Sequence, residues 1–112
     1  MKIGFIGDII GRPGREIGKK ELPSIKERYG VDFVIANGEN GSHGFGLIPK
    51  NANELFSYGI DVLTGGNHTW DKKEIIPLLE LKNKILRPHN YPDGVPGIGV
   101  NIYEVKNEKR PR

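Results

Sequence analysis

Short apolar runs recur along the chain, separated by longer segments with helical features. The runs cover residues 2–7, 31–36, 60–64 and 85–86, and residues 100–105 alternate as a further strand does. The run 31–36 is apolar at both alternating positions, which is typical of a strand covered by helices on both faces. The order β-α-β-α-β-α-β predicts an α/β fold with parallel strands and right-handed crossovers.

Proline and glycine predict where the first two helices begin and end. Pro13 suits the first turn of a helix, and Gly30 suits its C-terminal stop. Pro23 lies within this helix and is expected to kink it or split it in two. Pro49 opens the second helix, which Gly59 ends. An apolar stripe predicts the inner face of the first helix: Ile17, Leu22, Ile25 and Tyr29.

The third helix has a different start signal. Asp71 is followed three residues later by Glu74, which predicts an N-cap of the capping-box type. Pro77 follows soon after and indicates a kinked or short helix.

Composition narrows the protein class. The chain has 112 residues, a net charge of +3 and no cysteine, which excludes disulfides, thiolate metal sites and a cysteine nucleophile. No stretch approaches the roughly 20 apolar residues of a membrane span, so we expect a soluble cytoplasmic protein without a membrane partner. The basic end Lys106–Arg112 lacks interleaved aromatic residues and is interpreted as a solvated face in preference to a nucleic-acid site.

Three polar clusters come directly after three of the apolar runs. They are Gly7-Asp8, Asn37-Gly38-Glu39-Asn40 and Gly65-Gly66-Asn67-His68. Because the carboxyl ends of parallel strands meet at one edge of a sheet, the clusters are expected to lie together, where open α/β folds bind ligands. Oxygen and imidazole donors of this kind suit a divalent metal ion.

The acidic residues and Asn67 have specific candidate roles. Asp8 is interpreted either as a turn or capping aspartate or as a metal-binding carboxylate. Glu39 stands between Gly38 and Asn40 in a loop, where no turn preference explains a glutamate. A carboxylate there is able to bridge two cations, and the neutral oxygen of Asn67 is able to bind one.

His68 is the candidate proton donor, because an imidazole titrates near neutral pH. The alternative is a hydrogen-bonded loop histidine. His43 and His89 are predicted to be loop residues and not ligands, and Trp70 is predicted to pack in the core.

Other phosphate and hydrolase motifs do not fit this sequence. The glycines after the first run have the wrong spacing for a dinucleotide-binding loop, and neither a P-loop nor a serine nucleophile elbow occurs. Metal-assisted hydrolysis is the chemistry that these residues serve best, because two cations polarise a phosphoryl group and stabilise the leaving oxygen.

The motifs resemble those of the calcineurin-like metallophosphoesterase superfamily. The resemblance is closest to the bacterial YmdB-like 2′,3′-cyclic-nucleotide 2′-phosphodiesterases, which have no histidine at the position of Ile10 and carry Gly-Glu-Asn as at 38–40. The motifs that carry it are Gly7-Asp8-Ile9-Ile10-Gly11, Ala36-Asn37-Gly38-Glu39-Asn40, Gly65-Gly66-Asn67-His68-Thr69-Trp70-Asp71, Gly44-Phe45-Gly46 and Arg87-Pro88-His89-Asn90-Tyr91-Pro92.

The resemblance implies roles for the site residues. Asp8 would bind the first metal ion, Glu39 would bridge both, Asn40 would bind or support the first, and Asn67 would bind the second. His68 would donate the proton. The two divalent ions would be iron or manganese, and the substrate would be a cyclic nucleotide or an RNA-derived phosphodiester.

The resemblance also implies an incomplete domain. The fold would be a four-layer α/β/β/α sandwich, and residues 1–112 would form the N-terminal part of one metallophosphoesterase domain, leaving a sheet edge and a helix-free face exposed. The family completes its site with three further histidines, which this chain lacks. A missing C-terminal half, a partner chain or a homo-oligomer would supply them, and the chain alone is expected to be inactive or impaired. The alternatives are a non-catalytic phosphate- or nucleotide-binding module and a non-functional fragment.

Overall fold

The computed structural model describes residues 1–42, 46–81 and 84–105, and the predicted order of strands and helices is confirmed there. The elements follow one another as β1 (Ile3–Asp8), α1 (Gly11–Tyr29), β2 (Phe33–Asn37), α2 (Pro49–Ser57), β3 (Val62–Thr64), a 3₁₀ turn (Lys73–Ile75), α3 (Ile76–Leu81) and β4 (Ile85–Leu86).

The four strands form one parallel sheet in the order β1-β2-β3-β4. The register aligns Ile6, Ala36, Leu63 and Ile85 across the sheet. Each βαβ unit therefore places the next strand beside the previous one, so the carboxyl ends of the strands share one edge. This edge is where the three polar clusters were expected.

One face of the sheet carries the core. Ala36 and Leu63 are completely buried on this face. The helices cover it with apolar side chains that belong to the same cluster: Leu22, Ala52, Leu55, Ile75 and Leu79. Such burial stabilises the fold by roughly 1.5–3 kcal/mol for each large aliphatic side chain.

The opposite face of the sheet is partly open. Ile3 and Phe5 are 57% and 67% exposed, and β1 is an edge strand. Further along this face the Tyr103 ring lies 6.0 Å from the Phe33 ring. The prediction of helices on both faces of the second strand is therefore wrong for the described residues, whereas the predicted helix-free face and free edge are present.

The helix predictions are mostly confirmed. Gly30 ends α1 in the left-handed conformation, with a φ of 63°. The expected split at Pro23 is wrong, because α1 is one helix of 19 residues that contains Pro23. Pro23 and Lys19 are both exposed, so water can bond the Lys19 carbonyl that loses its helical partner. α3 is short, as Pro77 indicated, and no helix in the described part is long and apolar enough to cross a membrane.

Two apolar patterns do not lead to the predicted packing. Of the α1 stripe only Leu22 is buried, and Ile17 is 64% exposed. The predicted strand at 100–105 is also wrong: a single bridge joins Ile98 to Leu86, and Ile102 is 93% exposed. Alternation defines two faces of a segment, but a strand also needs a neighbouring strand with free backbone groups in register.

Candidate metal centre at the carboxyl edge of the sheet

The end of β1 is built to turn Asp8 towards the sheet edge. The register between β1 and β2 shifts between Ile6 and Asp8, so that Asp8 pairs with Asn37. The ladder then closes with the Ile9 N–H donating to the Asn37 carbonyl at 3.1 Å. Such a bulge bends the strand and re-aims the next side chain, and it leaves the Asp8 carboxylate exposed beside the residues that follow β2.

Asn40 lies against Asp8, as the clusters predicted. Its Nδ2 donates to both carboxylate oxygens of Asp8, at 3.2 and 3.0 Å. The Gly11 N–H donates to the Asn40 carbonyl at 2.9 Å, which ties this residue to the start of α1. The amide orientation follows from Asp8, because a carboxylate accepts hydrogen bonds and repels a carbonyl oxygen.

The remaining amide oxygen of Asn40 provides a test for a metal ion. Asn40 Oδ1 is buried and has no hydrogen-bond partner among the described residues. A buried acceptor without a partner costs roughly 1–3 kcal/mol unless another group satisfies it. A cation bound at this oxygen would satisfy it, and a carboxylate and an amide oxygen are both donors that suit a divalent metal ion.

Glu39 joins the second cluster to the third. Its N–H donates to Asn37 Oδ1 at 3.2 Å, and its Oε2 accepts the His68 N–H at 3.3 Å. The carboxylate lies directly over Gly66, so that a Cβ at that position would overlap it. Glu39 thus reaches from the end of β2 to the loop after β3 and connects the second and third clusters.

Thr69 organises the glycine loop, a role that was not predicted from the sequence. The side chain is 5% exposed. Its hydroxyl accepts the Gly66 N–H at 2.8 Å and donates to the Gly66 carbonyl at 2.6 Å. A Cβ on Gly65 would overlap the same hydroxyl. The available signal was a threonine three residues after a glycine pair, since Ser and Thr hydroxyls bond nearby backbone groups in turns.

The His68 side chain pairs with Asp71. Its Nδ1 lies 2.7 Å from Asp71 Oδ2, and the two side chains are 32% and 43% exposed. The predicted capping box is therefore wrong: the 3₁₀ turn begins after Lys72, without a side-chain cap. Because the carboxylate engages Nδ1 and fixes the ring, proton transfer to a leaving oxygen would use Nε2.

The structure brings Asp8, Glu39, Asn40 and His68 to one sheet edge, and Asn67 is exposed in the same glycine loop. Within the described ranges, however, no three Asp, Glu, His or Cys side chains form a group able to hold a metal ion. The donors present therefore fit one side of a metal site.

The other aromatic and histidine predictions have mixed outcomes. Trp70 packs against the core as predicted, and its Nε1 donates to the Pro96 carbonyl at 3.2 Å. His89 is an exposed turn residue, as predicted, and His43 lies outside the described residues.

The contact between Gly66 and Glu39 gives a first testable expectation. Gly66→Ala places a methyl group where the Glu39 carboxylate lies, so the flexible glutamate must move while the backbone is kept. We expect Mn²⁺ affinity to fall by about 10–100-fold, as for other changes that reorient a metal ligand. Isothermal titration with Mn²⁺ measures this change. Gly7→Ala is the matched control, because its Cβ meets nothing within 4 Å; equal affinities of the two variants would contradict the steric argument.

Comparison with known proteins points to one family. The model of the YmdB-like protein family matches residues 5–111. A Bacillus subtilis protein named 2′,3′-cyclic-nucleotide 2′-phosphodiesterase is 43% identical over 109 residues, which cover 97% of this chain and 41% of that protein. The chain therefore spans about two fifths of the length of this curated relative.

Solved structures show the same fold. A phosphatase from Mycoplasma pneumoniae superposes with a TM-score of 0.86 at 36% identity, over 93% of this chain and 38% of that one. A protein from Thermus thermophilus gives a TM-score of 0.82 at 45% identity, over 88% and 38% of the two chains. The α/β fold of the metallophosphoesterase type expected from the sequence is confirmed, and the chain belongs to the YmdB-like protein family.

Proposed function

We propose that this chain carries part of the catalytic centre of a metal-dependent phosphodiesterase that hydrolyses 2′,3′-cyclic nucleotides or related RNA-derived phosphodiesters. The observation that carries the proposal is the Asp8–Asn40 pair, whose buried amide oxygen lacks a partner among the described residues and would be satisfied by a cation. The names of the relatives support the reaction class, since they include a phosphodiesterase and a phosphatase.

Four residues would hold two divalent metal ions, iron or manganese. Asp8 and Asn40 would hold the first, Asn67 the second, and Glu39 would lie between them. When bound, the ions supply Lewis-acid polarisation of the phosphoryl group and a nucleophile derived from water. The protein positions the donors through the bulge at the end of β1 and through the hydrogen bond from the His68 N–H to Glu39.

His68 would protonate the leaving ribose oxygen. Opening a cyclic phosphodiester breaks a P–O bond and leaves an alkoxide, which is a poor leaving group without a proton. Asp71 holds Nδ1 at 2.7 Å and so orients the ring with Nε2 as the donor.

The rest of the site would come from outside these residues. Two carboxylates and two amides make a weak site for transition metals, which prefer additional imidazole ligands. We propose that the remaining part of the same domain, a partner chain or a second copy supplies them, and that the chain alone is inactive or impaired.

The assignment of residues 1–112 to the N-terminal part of one domain, and a cytoplasmic location, remain part of this proposal.

A second candidate is a phosphate- or nucleotide-binding module without catalysis. It is favoured by the absence, in the part of the chain that the structure describes, of three Asp, Glu, His or Cys side chains grouped for a metal. Such a module binds through loop N–H groups alone and needs no cation.

A chimera tests the proposal. This chain replaces the matched region of the Bacillus subtilis relative, to which it is 43% identical, and the product is assayed with a 2′,3′-cyclic nucleotide and Mn²⁺ or Fe²⁺. We expect hydrolysis that a chelator stops and that Asp8→Asn abolishes, because the substitution removes the carboxylate that Asn40 holds. A cooperatively folded chimera without hydrolysis contradicts the proposal. Phosphate binding unaffected by chelator would then support the second candidate.

A further inference from the structure

The loop that carries Glu39 and Asn40 is held by hydrogen bonds from several elements. The Gly38 N–H donates to the Thr64 carbonyl at 3.0 Å, which fixes the start of the loop to β3. The Gly41 N–H donates to the Gly38 carbonyl at 3.0 Å and closes a turn around Glu39 and Asn40. The loop therefore has a defined backbone from its start to Gly41.

Ser42 directly follows the turn from Gly38 to Gly41 and is completely buried. Its hydroxyl donates to Asn51 Oδ1 at 2.6 Å and accepts the Ile48 N–H at 2.9 Å. Ile48 is the N-cap of α2 and has no side-chain cap of its own, while Asn51 lies in the first turn and is 5% exposed. One hydroxyl thus bonds the end of the loop to both a backbone group and a side chain at the start of α2.

The orientation of Asn51 is fixed from the other side. Its Nδ2 donates to Glu54 Oε1 at 3.1 Å, and the Tyr58 hydroxyl donates to Glu54 Oε2 at 3.0 Å. The hydrogen bond from Tyr58 is the largest influence on Glu54 and lowers the pKa of that carboxyl, which stays an acceptor. A carboxylate only accepts hydrogen bonds, so the group of Asn51 that faces Glu54 must be the amide nitrogen. The amide oxygen of Asn51 therefore faces Ser42.

A packing role alone does not account for this arrangement. Burying hydroxyl and amide groups costs free energy unless each is bonded, and both Ser42 and Asn51 find their partners here. Buried, fully bonded polar networks specify one arrangement of the backbone. Ser42 is two residues from Asn40 and three from Glu39, so the arrangement that it specifies is that of the proposed metal ligands.

We propose that Ser42 and Asn51 are positioning residues that hold the Gly38–Ser42 loop so that Glu39 and Asn40 face the metal site. The inference rests on the proposed metal-dependent function for its purpose, and on the hydrogen bonds of the loop for its mechanism. Arg15 of α1 adds a second support, because its guanidinium donates to the Gly41 carbonyl.

The test uses two readouts on this chain, amide hydrogen exchange by NMR and titration with Mn²⁺ alone. Ser42→Ala is expected to speed exchange of the hydrogen-bonded Gly38, Glu39 and Gly41 amides relative to the Val34 amide in β2. It is also expected to weaken Mn²⁺ binding by about 10–100-fold, the usual effect of losing a group that orients a ligand. Ser57→Ala is the matched control, since the Ser57 hydroxyl makes a 2.6 Å hydrogen bond at the exposed, far end of α2.

A second variant keeps the test valid if Ser42→Ala lowers global stability. Asn51→Ala breaks the same hydrogen bond from α2. The effects of the two variants on loop exchange are expected to be less than additive in the double variant, because they share the Ser42–Asn51 hydrogen bond, although each also removes a second one. Loop exchange unchanged in both single variants overturns the positioning role, whatever Mn²⁺ does. Faster loop exchange with Mn²⁺ affinity equal to that of the wild type keeps the hold on the loop and contradicts its proposed link to the metal ligands.

Discussion

Replacing His68 by alanine in the chimera with the Bacillus subtilis relative is expected to lower turnover of a 2′,3′-cyclic nucleotide by about 10²–10⁴-fold, the usual contribution of a general acid. Mn²⁺ affinity should stay within a factor of two or three of the parent value, because the hydrogen bond to Glu39 comes from the backbone N–H of residue 68, which alanine retains. Steady-state kinetics and Mn²⁺ titration measure the two quantities separately.

Two control variants sharpen this result. Asp71→Asn keeps the size of the side chain but removes the charge that faces His68 Nδ1 at 2.7 Å, so it should lower turnover less than loss of the ring. His89→Ala changes an exposed turn histidine and should leave turnover unchanged. Loss of both metal ions in His68→Ala would show that this histidine is a ligand, and unchanged turnover would remove it from the mechanism.

Glu39→Ala is expected to abolish binding of both metal ions together and therefore to abolish turnover. Its carboxylate accepts the His68 N–H from the loop that carries Asn67, and its neighbour Asn40 donates to Asp8, so Glu39 connects the two sides of the proposed site. Without Glu39, the first ion would keep only Asp8 and Asn40, and the second ion would keep only Asn67. These donors are too few for divalent ions. The metal content of purified protein, measured by elemental analysis, checks this outcome.

The matched variant for Glu39 is glutamine. Glu39→Gln keeps the volume over Gly66 and removes the charge, so it separates a loss of ligand from a loss of packing. Glu27→Ala, on the exposed surface of α1, controls for the change in net charge. Retention of two full equivalents of metal in Glu39→Ala would contradict the bridging role, and loss of one equivalent would assign Glu39 to a single ion.

The location of the candidate site was predictable because it depends on local order along the chain. Asp8, Glu39 and His68 each follow a strand-forming run, and parallel strands bring the residues that follow them to one edge. No knowledge of the packing is needed for that conclusion. The same reasoning predicted the αL stop at Gly30, where only a residue without a Cβ adopts this backbone without strain.

The hydrogen-bond partners of these residues were not predictable, because each depends on how the loops at the sheet edge fold and pack. Asp71 has the sequence pattern of a helix cap, but its carboxylate lies 2.7 Å from His68 Nδ1, and the 3₁₀ turn that follows has no side-chain cap. Ser42 and Asn51 carry no signal in the sequence, and only the packing of the loop against α2 makes their hydrogen bond. The hydrogen bond of Thr69 to the Gly66 N–H also forms only when the glycine loop folds back on the threonine hydroxyl.

The sequence by itself determined the α/β class, the parallel order of the strands, the edge at which the polar clusters meet and the family. These follow from periodicity, from turn residues and from motifs, which are properties of short segments. Only the tertiary structure decided that helices cover one face of the sheet, that α1 runs through Pro23 and that residues 100–105 form no strand. It also decided that a buried hydroxyl–amide pair holds the loop of Glu39 and Asn40, because burial and hydrogen bonding depend on which segments meet in space and not on their order.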